Sequence, residues 1–516
     1  MGSRGGKATI VKIAYFSPFW DKKTGIATYS ERLVPELRLQ MDVHCFDHHN
    51  RHAVNRIPLF HDFGVNPSIL STLPDYDTIV YNLGNNPHFH LELYKVMRVF
   101  PGVAILHDTV LYYLFAGLGT GGLFKQICLN YGSERGQEIV EIQEASPERD
   151  ILQYREPEKY PLLKSVLDYA TGIIVHSRKS AEAVRNAGFR KPIWVVPMPA
   201  DPIGAGQITA AHQKALREKH EIAEHDLVIG IFGFIGPSKR LPVAFRALGR
   251  IKSTLNFKLL IVGEGDEIST LAAENNLTDR LIYTRFVQEG DFLPYLSLTN
   301  LLINLRYPSM GEASITLVQA LTLGIPSIVT NDAWFAELPD NCVAKIGMGR
   351  QEVSDLETAI LELATNETKR ASMSEAARQF VGTVCHPRAV AIELKRILEA
   401  HVRETVHQKF TDLTDVSGGE LDDSCAAMMT KTLNRILPAH LKNQTRVLGD
   451  SGDGAIAMGV TPQDVRWAYR IILGRNPENE TVVQKSVGVF TTVAELRKAL
   501  LSSPEYRANN PEGSGR

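Results

Sequence analysis

Two stretches in the second half of the chain carry the residue types that can hold a diphosphate. The first is Gly233-Phe234-Ile235-Gly236-Pro237-Ser238-Lys239-Arg240, which follows the apolar run Leu227 to Phe232. Two glycines and two cations where a strand meets a helix let the backbone come close to a phosphate and set mobile positive charge beside it. Cations at a helix start oppose the helix dipole, so a merely solvated role for Lys239 and Arg240 is unattractive, and both are expected to be exposed in a cleft. The second stretch is Arg306 to Pro326, RYPSMGEASITLVQALTLGIP. Its polar loop contains Glu312 and leads into a helical pattern from Ala313 to Leu323, stopped by Gly324-Ile325-Pro326. The free N–H groups of that helix start, around Ala313, Ser314 and Thr316, make a second anion site. Glu312 either meets developing positive charge at a reacting centre or caps the helix behind it.

The first half offers matching groups. Thr24-Gly25 forms a turn ahead of a helical pattern from Ile26 to Leu39, where Gly25 lets a backbone approach a ligand closely. The strand Val103 to Leu106 ends in His107-Asp108. We expect a helix-capping role for Asp108, which precedes a helical run. His88 and His90 lack partners at metal-ligand spacing and read as surface or acceptor-cleft residues.

The elements that must position these groups are short apolar runs alternating with helical patterns. Strands are expected at Ile10 to Phe16, Val43 to Phe46, Thr78 to Leu83, Val103 to Leu106, Gly172 to His176 and Ile193 to Val196. A second set is expected at Leu227 to Phe232, Leu259 to Val262, Leu281 to Phe286, Leu301 to Leu305 and Ser327 to Val329. Each polar cluster stands where a strand stops, as in doubly wound sheets that bind ligands at their carboxyl ends. The fold class is therefore α/β, with two Rossmann-like doubly wound domains. Residues 111–161 read as an irregular helical insertion, either a lid on the acceptor side or a solvated excursion, broken at Gly117 to Gly122.

The domains are drawn at 1–196 and 207–385, separated by the Pro/Gly-rich PMPADPIGAG. An amphipathic helix from Pro387 to Val402 follows, within the segment 386–405. Residues 406–460 read as a linker with a helical segment, and 461–510 as a small helical module. The acidic Thr411 to Asp423 and the Gly/Asp-rich Gly449 to Gly454 mark that linker.

A chain of 516 residues exceeds one core and agrees with this division. With a formal charge of −2 there is no global field to recruit nucleic acid. The five cysteines form no close pair, which fits a reducing compartment and excludes a zinc site of the usual spacing. No apolar run is long enough to span a bilayer, and a cytoplasmic enzyme is the default.

The same motifs resemble a known family. Arg306-x-Pro308-x-x-Gly311-Glu312, followed by Trp334-Phe335-Ala336-Glu337-Leu338-Pro339, is similar to a bacterial subgroup of the retaining GT-B glycosyltransferases often called family 4. SPFWDKKTGIATYSERLVPEL, YNLGNNPHF and PGVAILHD carry the likeness into the first half. The family pattern has two Glu residues eight positions apart; here the second falls on Gln319 and the first on Gly311, with Glu312 one residue displaced. The family's Gly-Arg and Lys-Gly pairs fall on Gly233-Phe234 and Lys239-Arg240, so Arg240 stands in for the missing Arg.

The resemblance implies transfer of a sugar from a nucleoside-diphosphate sugar to a glycan or lipid-linked acceptor, with retained configuration. It implies that the two domains face across a cleft and that 386–405 is a crossover helix returning to the first domain. It also implies functional roles for Glu312, His107, Lys239 and Arg240 at the reacting centre. Gly25, Gly233, Lys239, Arg240, Val287, Glu312, Ala313, Ser314 and Gln319 would bind the donor, Val287 near the base and Gln319 at the ribose. No Asp-x-Asp motif stands in a suitable loop, so neither a metal nor another cofactor is expected. Peripheral contact with the inner membrane would accompany a lipid-linked acceptor. VRWAYRIILGRNPENE and LLSSPEYR resemble a small bacterial domain of unknown function, expected to serve protein interaction or oligomerisation. The rival reading is a catalytically weakened GT-B scaffold that binds a glycan or nucleotide.

Overall fold

The computed structural model describes residues 10–19, 22, 24–50, 53–145, 151–200, 207–265, 267–415, 460, 462–473, 475–490 and 493–509. The first sheet has seven parallel strands: β1 (Lys12–Phe16), β2 (Asp42–Asp47), β3 (Phe60–Asp62), β4 (Thr78–Leu83), β5 (Gly102–Leu106), β6 (Ala170–Val175) and β7 (Ile193–Val195). The second has six: β8 (Leu227–Phe232), β9 (Phe257–Val262), β10 (Leu281–Arg285), β11 (Leu301–Asn304), β12 (Ser327–Thr330) and β13 (Ala344–Ile346). Their orders are β3-β2-β1-β4-β5-β6-β7 and β10-β9-β8-β11-β12-β13. The order therefore reverses between β1 and β4 in one sheet and between β8 and β11 in the other. A crevice opens at such reversals because the two flanking connections leave to opposite faces.

The apolar runs form strands because both faces are covered: β4, β5, β11 and β12 are buried at every position. One hydrophobic cluster runs from Ile13, Tyr15 and Leu33 in the first domain to Leu302, Leu317 and Val329 in the second. Val390, Leu394, Ile397 and Val402 join it, so the helix Pro387–Asp415 packs across both domains. His401 Nε2 lies 3.0 Å from Thr171 Oγ1 and anchors this helix to the first sheet.

Several boundaries differ from those read in the sequence. β3 and β13 are additional; each is three residues long, too short for a legible pattern. The expected crossover helix continues through Asp415, so Thr411 to Asp415 is helix and not linker. The other linker residues, Gly449 to Gly454 among them, lie outside the described residues. The 111–161 insertion holds helices at Tyr112–Ala116, Gly119–Tyr131 and Ser133–Ala145, with the expected break narrowed to Gly117-Leu118.

The C-terminal helices do not stand apart. Val460, Val465, Ala468, Ile472, Leu496 and Leu500 share a core with Leu93, Val96 and Met97 of the helix Pro87–Val99. Asp464 pairs with Arg98 at 2.5 Å in a buried position. Arg497 Nη1 donates to Val99 O at 3.1 Å, and Tyr506 Oη to Ser71 O at 2.8 Å. Among the described residues no helix is long and apolar enough to cross a membrane.

Candidate active site at the domain cleft

The second domain builds its half of the site from the loops after β8 and β11, the two strands at the reversal. Gly233 takes a φ of 93°, a left-handed conformation open to glycine, as the chain leaves β8. A Cβ there would stand 3.5 Å from Thr316 Oγ1 and 3.6 Å from Lys239 Nζ, filling the space that glycine leaves to a ligand. Lys239 folds back under the loop: its Nζ donates to Phe232 O at 2.6 Å and to Asn304 Oδ1 at 3.3 Å. Asn304 Nδ2 in turn donates to Ser314 Oγ at 3.0 Å, and Ser314 Oγ accepts from Leu317 N at 3.2 Å. One network thus ties an ammonium, a strand end and the cap of the helix Ile315–Leu323. Two of the three ammonium donors are used, and the third remains for an anion at Gly233.

Lys239 is buried, where the sequence suggested an exposed cleft residue. Burial pushes its ammonium well below the usual lysine range; Arg306 adds to that push and Glu312 opposes it. Arg240 departs further from expectation. Its Nε donates to Glu352 Oε1 at 3.1 Å, Nη2 pairs with Oε2, and the guanidinium stands 5.8 Å from the Tyr307 ring centroid. Glu352 is 2% exposed, so Arg240 neutralises a buried carboxylate.

The loop after β11 places Glu312. Its Oε2 accepts from Met310 N at 2.7 Å and Ser309 Oγ at 3.2 Å, while Oε1 lies 3.4 Å from Arg306 Nε. The carboxylate therefore closes on its own loop, and Ser314 caps the helix, which starts at Ile315 and not at Ala313. Arg306 is held by Arg306 N donating to Thr330 Oγ1 at 3.0 Å. Gly311, with φ 88°, has no room for a Cβ, which would collide with Thr109 Oγ1 of the first domain. Met310 O accepts from Thr109 N at 2.7 Å and Val110 N at 3.1 Å, so the Glu312 loop is bonded directly across the cleft.

The first domain answers with the loops after β1, β4, β5 and β6. Gly25 opens the helix Gly25–Arg38 behind its Thr24 cap, and a Cβ on it would stand 3.7 Å from Ile315 Cγ1. His107 is buried, edge-on to Tyr29 at 4.6 Å, with Nε2 3.2 Å from Asn82 Oδ1 and Nδ1 3.3 Å from His176 Nε2. His176 Nδ1 reaches Val196 O at 2.9 Å. Burial drives His107 well below the ordinary histidine range, and His176 and His90 reinforce it. His90 is no surface residue: it is buried, with Nδ1 3.2 Å from Asn82 O. Asp108 does not cap the helix that follows. Its Oδ2 accepts from Asn85 N at 2.8 Å, and that helix begins at Tyr112. The Asp108 carboxyl is pushed up to about 7, chiefly by burial and then by the neighbouring Glu312 carboxylate, against the opposing pull of the Asn85 N–H and Arg306.

The structure thus brings Gly233, Lys239, Glu312, Ala313 and Ser314 together, with Gly25, His107 and Asp108 facing them. Gln319 sits partly exposed on the second turn of the helix Ile315–Leu323. Val287 follows β10, half-buried against the central core. Three contributors carried no role in the sequence reading: Asn304, Arg306 and His176. Two had a legible signal. Asn304 is the polar residue inside the apolar run LLINL, and His176 ends β6 as His107 ends β5, on paired neighbouring strands. Among the described residues no group of three or more His, Cys, Asp or Glu could hold a metal ion.

Residues 212–380 match the family described as glycosyl transferases group 1. No curated protein matches the chain. Among solved structures, Anabaena HepE in complex with UDP-glucose is 15% identical, with a TM-score of 0.54 over 75% of this chain and 99% of that one. A glycosyltransferase from Rickettsia africae is 12% identical, with a TM-score of 0.52 over 76% and 99%. The N-terminal domain of Candida albicans trehalose-6-phosphate phosphatase is 9% identical, with a TM-score of 0.51 over 78% and 98%. The two reversed parallel sheets, the bridging helix and the cleft between them are a GT-B fold, and its second domain matches the glycosyl transferases group 1 model over residues 212–380.

Proposed function

We propose that this protein is a retaining glycosyltransferase that moves a sugar from a nucleoside-diphosphate sugar to a glycan or lipid-linked acceptor. The observation that carries the reading is the convergence of Lys239 Nζ, the Gly233 turn and the Ser314-capped helix start on one space at the β8–β11 reversal. Backbone donors, a helix dipole and a buried ammonium together suit a departing diphosphate, and preorganised donors of this kind commonly dominate catalysis. The structures of HepE with UDP and with UDP-glucose make UDP-glucose the first donor to try.

In the proposed step the bond between the anomeric carbon and the diphosphate oxygen breaks while the acceptor oxygen bonds to the same face. The acceptor proton passes to the departing phosphate. Glu312, held by Met310 N and Arg306, would lie beside the positive charge that develops on the sugar. Val287 would meet the base and Gln319 the ribose. The positive charge for the diphosphate comes from Lys239 and the helix start, so the proposal needs no metal. It places the enzyme in the cytoplasm, in peripheral contact with the inner membrane if the acceptor is lipid-linked.

A thermal-shift screen of nucleotide sugars, followed by NMR of the product, tests the reading. A stabilising donor and a product with the donor's anomeric configuration are expected. An inverted linkage would require a general base and would defeat retention, with His107 and Asp108 the first groups to test. Donor binding with neither transfer nor hydrolysis would favour the scaffold reading, which the displaced Glu and the ion-paired Arg240 motivate.

A further inference from the structure

The segment Trp334-Phe335-Ala336-Glu337-Leu338-Pro339 contributes nothing to the diphosphate space, yet its carboxylate crosses to the other domain. Glu337 Oε2 accepts from Arg178 N and Oε1 from Lys179 N, both at 2.9 Å. These are the first two N–H groups of the helix Arg178–Asn186 in the first domain. The cap of that helix, Ser177, is committed to Ser180 N at 3.0 Å. Glu337 therefore fills donors that the cap leaves open, and negative charge at a helix N-terminus is the favourable polarity.

The second-domain side is built to present this carboxylate. Trp334, Phe335 and Leu338 are buried and anchor the turn, while Glu337 stays solvent-accessible. Ala333, which opens the turn, has a φ of 49°. That left-handed conformation costs a non-glycine residue on the order of 1 kcal/mol and persists where the surroundings fix it.

The same helix start touches the site on two sides. Ser180 Oγ donates to Gly311 O at 3.1 Å, one residue before Glu312. Ser177 directly follows His176, which contacts His107. We infer that Glu337 is a positioning residue, latching the second domain onto the helix Arg178–Asn186 so that the loop carrying Glu312 is held against Thr109 and Val110, directly after His107 and Asp108. What the positioning serves rests on the transfer reaction proposed above; the latch itself is a matter of domain geometry.

Hydrogen exchange, small-angle scattering and kinetics on the full chain test it, using wild type, Glu337→Gln and Glu337→Ala. In Glu337→Ala the amides of Arg178 and Lys179 should exchange about tenfold faster or more, and the radius of gyration should increase. Exchange in β6 and the melting temperature should stay close to wild type. Glu337→Gln, which keeps one accepting oxygen, should fall between. With UDP-glucose as donor, kcat should drop about tenfold in Glu337→Ala while KM changes little, a split that lost folding stability would not give. Unchanged exchange at Arg178 and Lys179 overturns the latch, and faster exchange with wild-type kcat overturns the positioning role. A wild-type protein that binds neither UDP nor UDP-glucose would count against the proposed donor reading, while exchange and scattering would still decide the latch.

Discussion

His176 Nε2 lies 3.3 Å from His107 Nδ1, the middle link of a chain from Val196 O to Asn82 Oδ1. With the Asn82 amide so oriented, three contacts need three protons, and two neutral imidazoles carry two. Burial keeps both rings from taking up the third. The relay is one proton short, and an anion bound nearby favours the missing charge. Donor binding should therefore take up a proton near neutral pH, seen by calorimetry in buffers of different ionisation enthalpy. His176→Gln should abolish the uptake.

Stability should fall in acid. Burial lowers His176 from 6.5 to about 4 and His90 to about 3, and drives His107 well down. Below pH 6.5 the unfolded chain binds protons there that the folded chain refuses, so stability is lost as pH falls towards 4. Asp108 acts in the opposite sense: held up to about 7, it keeps a proton that the unfolded chain releases above 3.8. Three histidines against this one carboxyl leave a net loss. His176 alone accounts for about 3 kcal/mol at full effect. The melting temperature should drop from pH 7 to pH 5, and less so in His176→Gln.

Lys239→Ala and Arg240→Ala should part company. Losing the spare ammonium donor should cost roughly 2–4 kcal/mol of transition-state stabilisation. It should also lower the melting temperature, because Asn304 Oδ1 and Phe232 O lose a buried partner. Arg240→Ala should leave kcat near wild type and cost about 1–3 kcal/mol of folding stability, since Glu352 is stranded. Kinetics and melts on the two variants give the comparison; a large kcat loss confined to Arg240→Ala would reverse these assignments.

Glu312→Gln should reduce kcat strongly and weaken donor binding little, because a charge beside a developing positive centre counts chiefly in the transition state. Gln319→Ala should instead raise the donor KM with kcat nearly intact, as expected for a ribose contact made equally in both states. An active Glu312→Gln enzyme would remove the carboxylate from the chemistry.

Arg98→Ala should destabilise the first domain by about 3–5 kcal/mol, the scale of stranding a buried partner such as Asp464. Truncation after residue 415 should expose Leu93, Val96 and Met97 and speed hydrogen exchange across the helix Pro87–Val99. Unaltered exchange in the truncated protein would show that the C-terminal helices ride on this face without supporting it.

Strand identity was legible because sheets covered on both faces demand apolar runs such as Val103 to Leu106 and Leu301 to Ile303, with His107 and Asn304 as the first polar groups at their exits. The reversal that gathers those exits is a property of strand order, so the sequence could show loops but not their meeting. Lys239 was readable as a cation and not as a buried one, since its fold-back onto Phe232 O is completed by Asn304 of another strand, β11. The ion pair of Arg240 was hidden because Glu352 lies more than a hundred residues away and offers no local pattern. Asp108 resembled a cap because Asp often is one, but the helix behind it starts late and Asn85 N claims the carboxylate.

The helix Pro387–Asp415 and the helices from Pro462 onward both pack on the domain that the chain builds first. During synthesis, at about 5–20 residues per second, that domain must wait on the order of tens of seconds for the pieces that cover its apolar surface. The face of the helix Pro87–Val99 that later packs on residues 460–509 awaits its cover during that interval. The nascent first domain is thus the species on which a chaperone should act, and yield in the cell should depend on residues 460–509 reaching it before aggregation does.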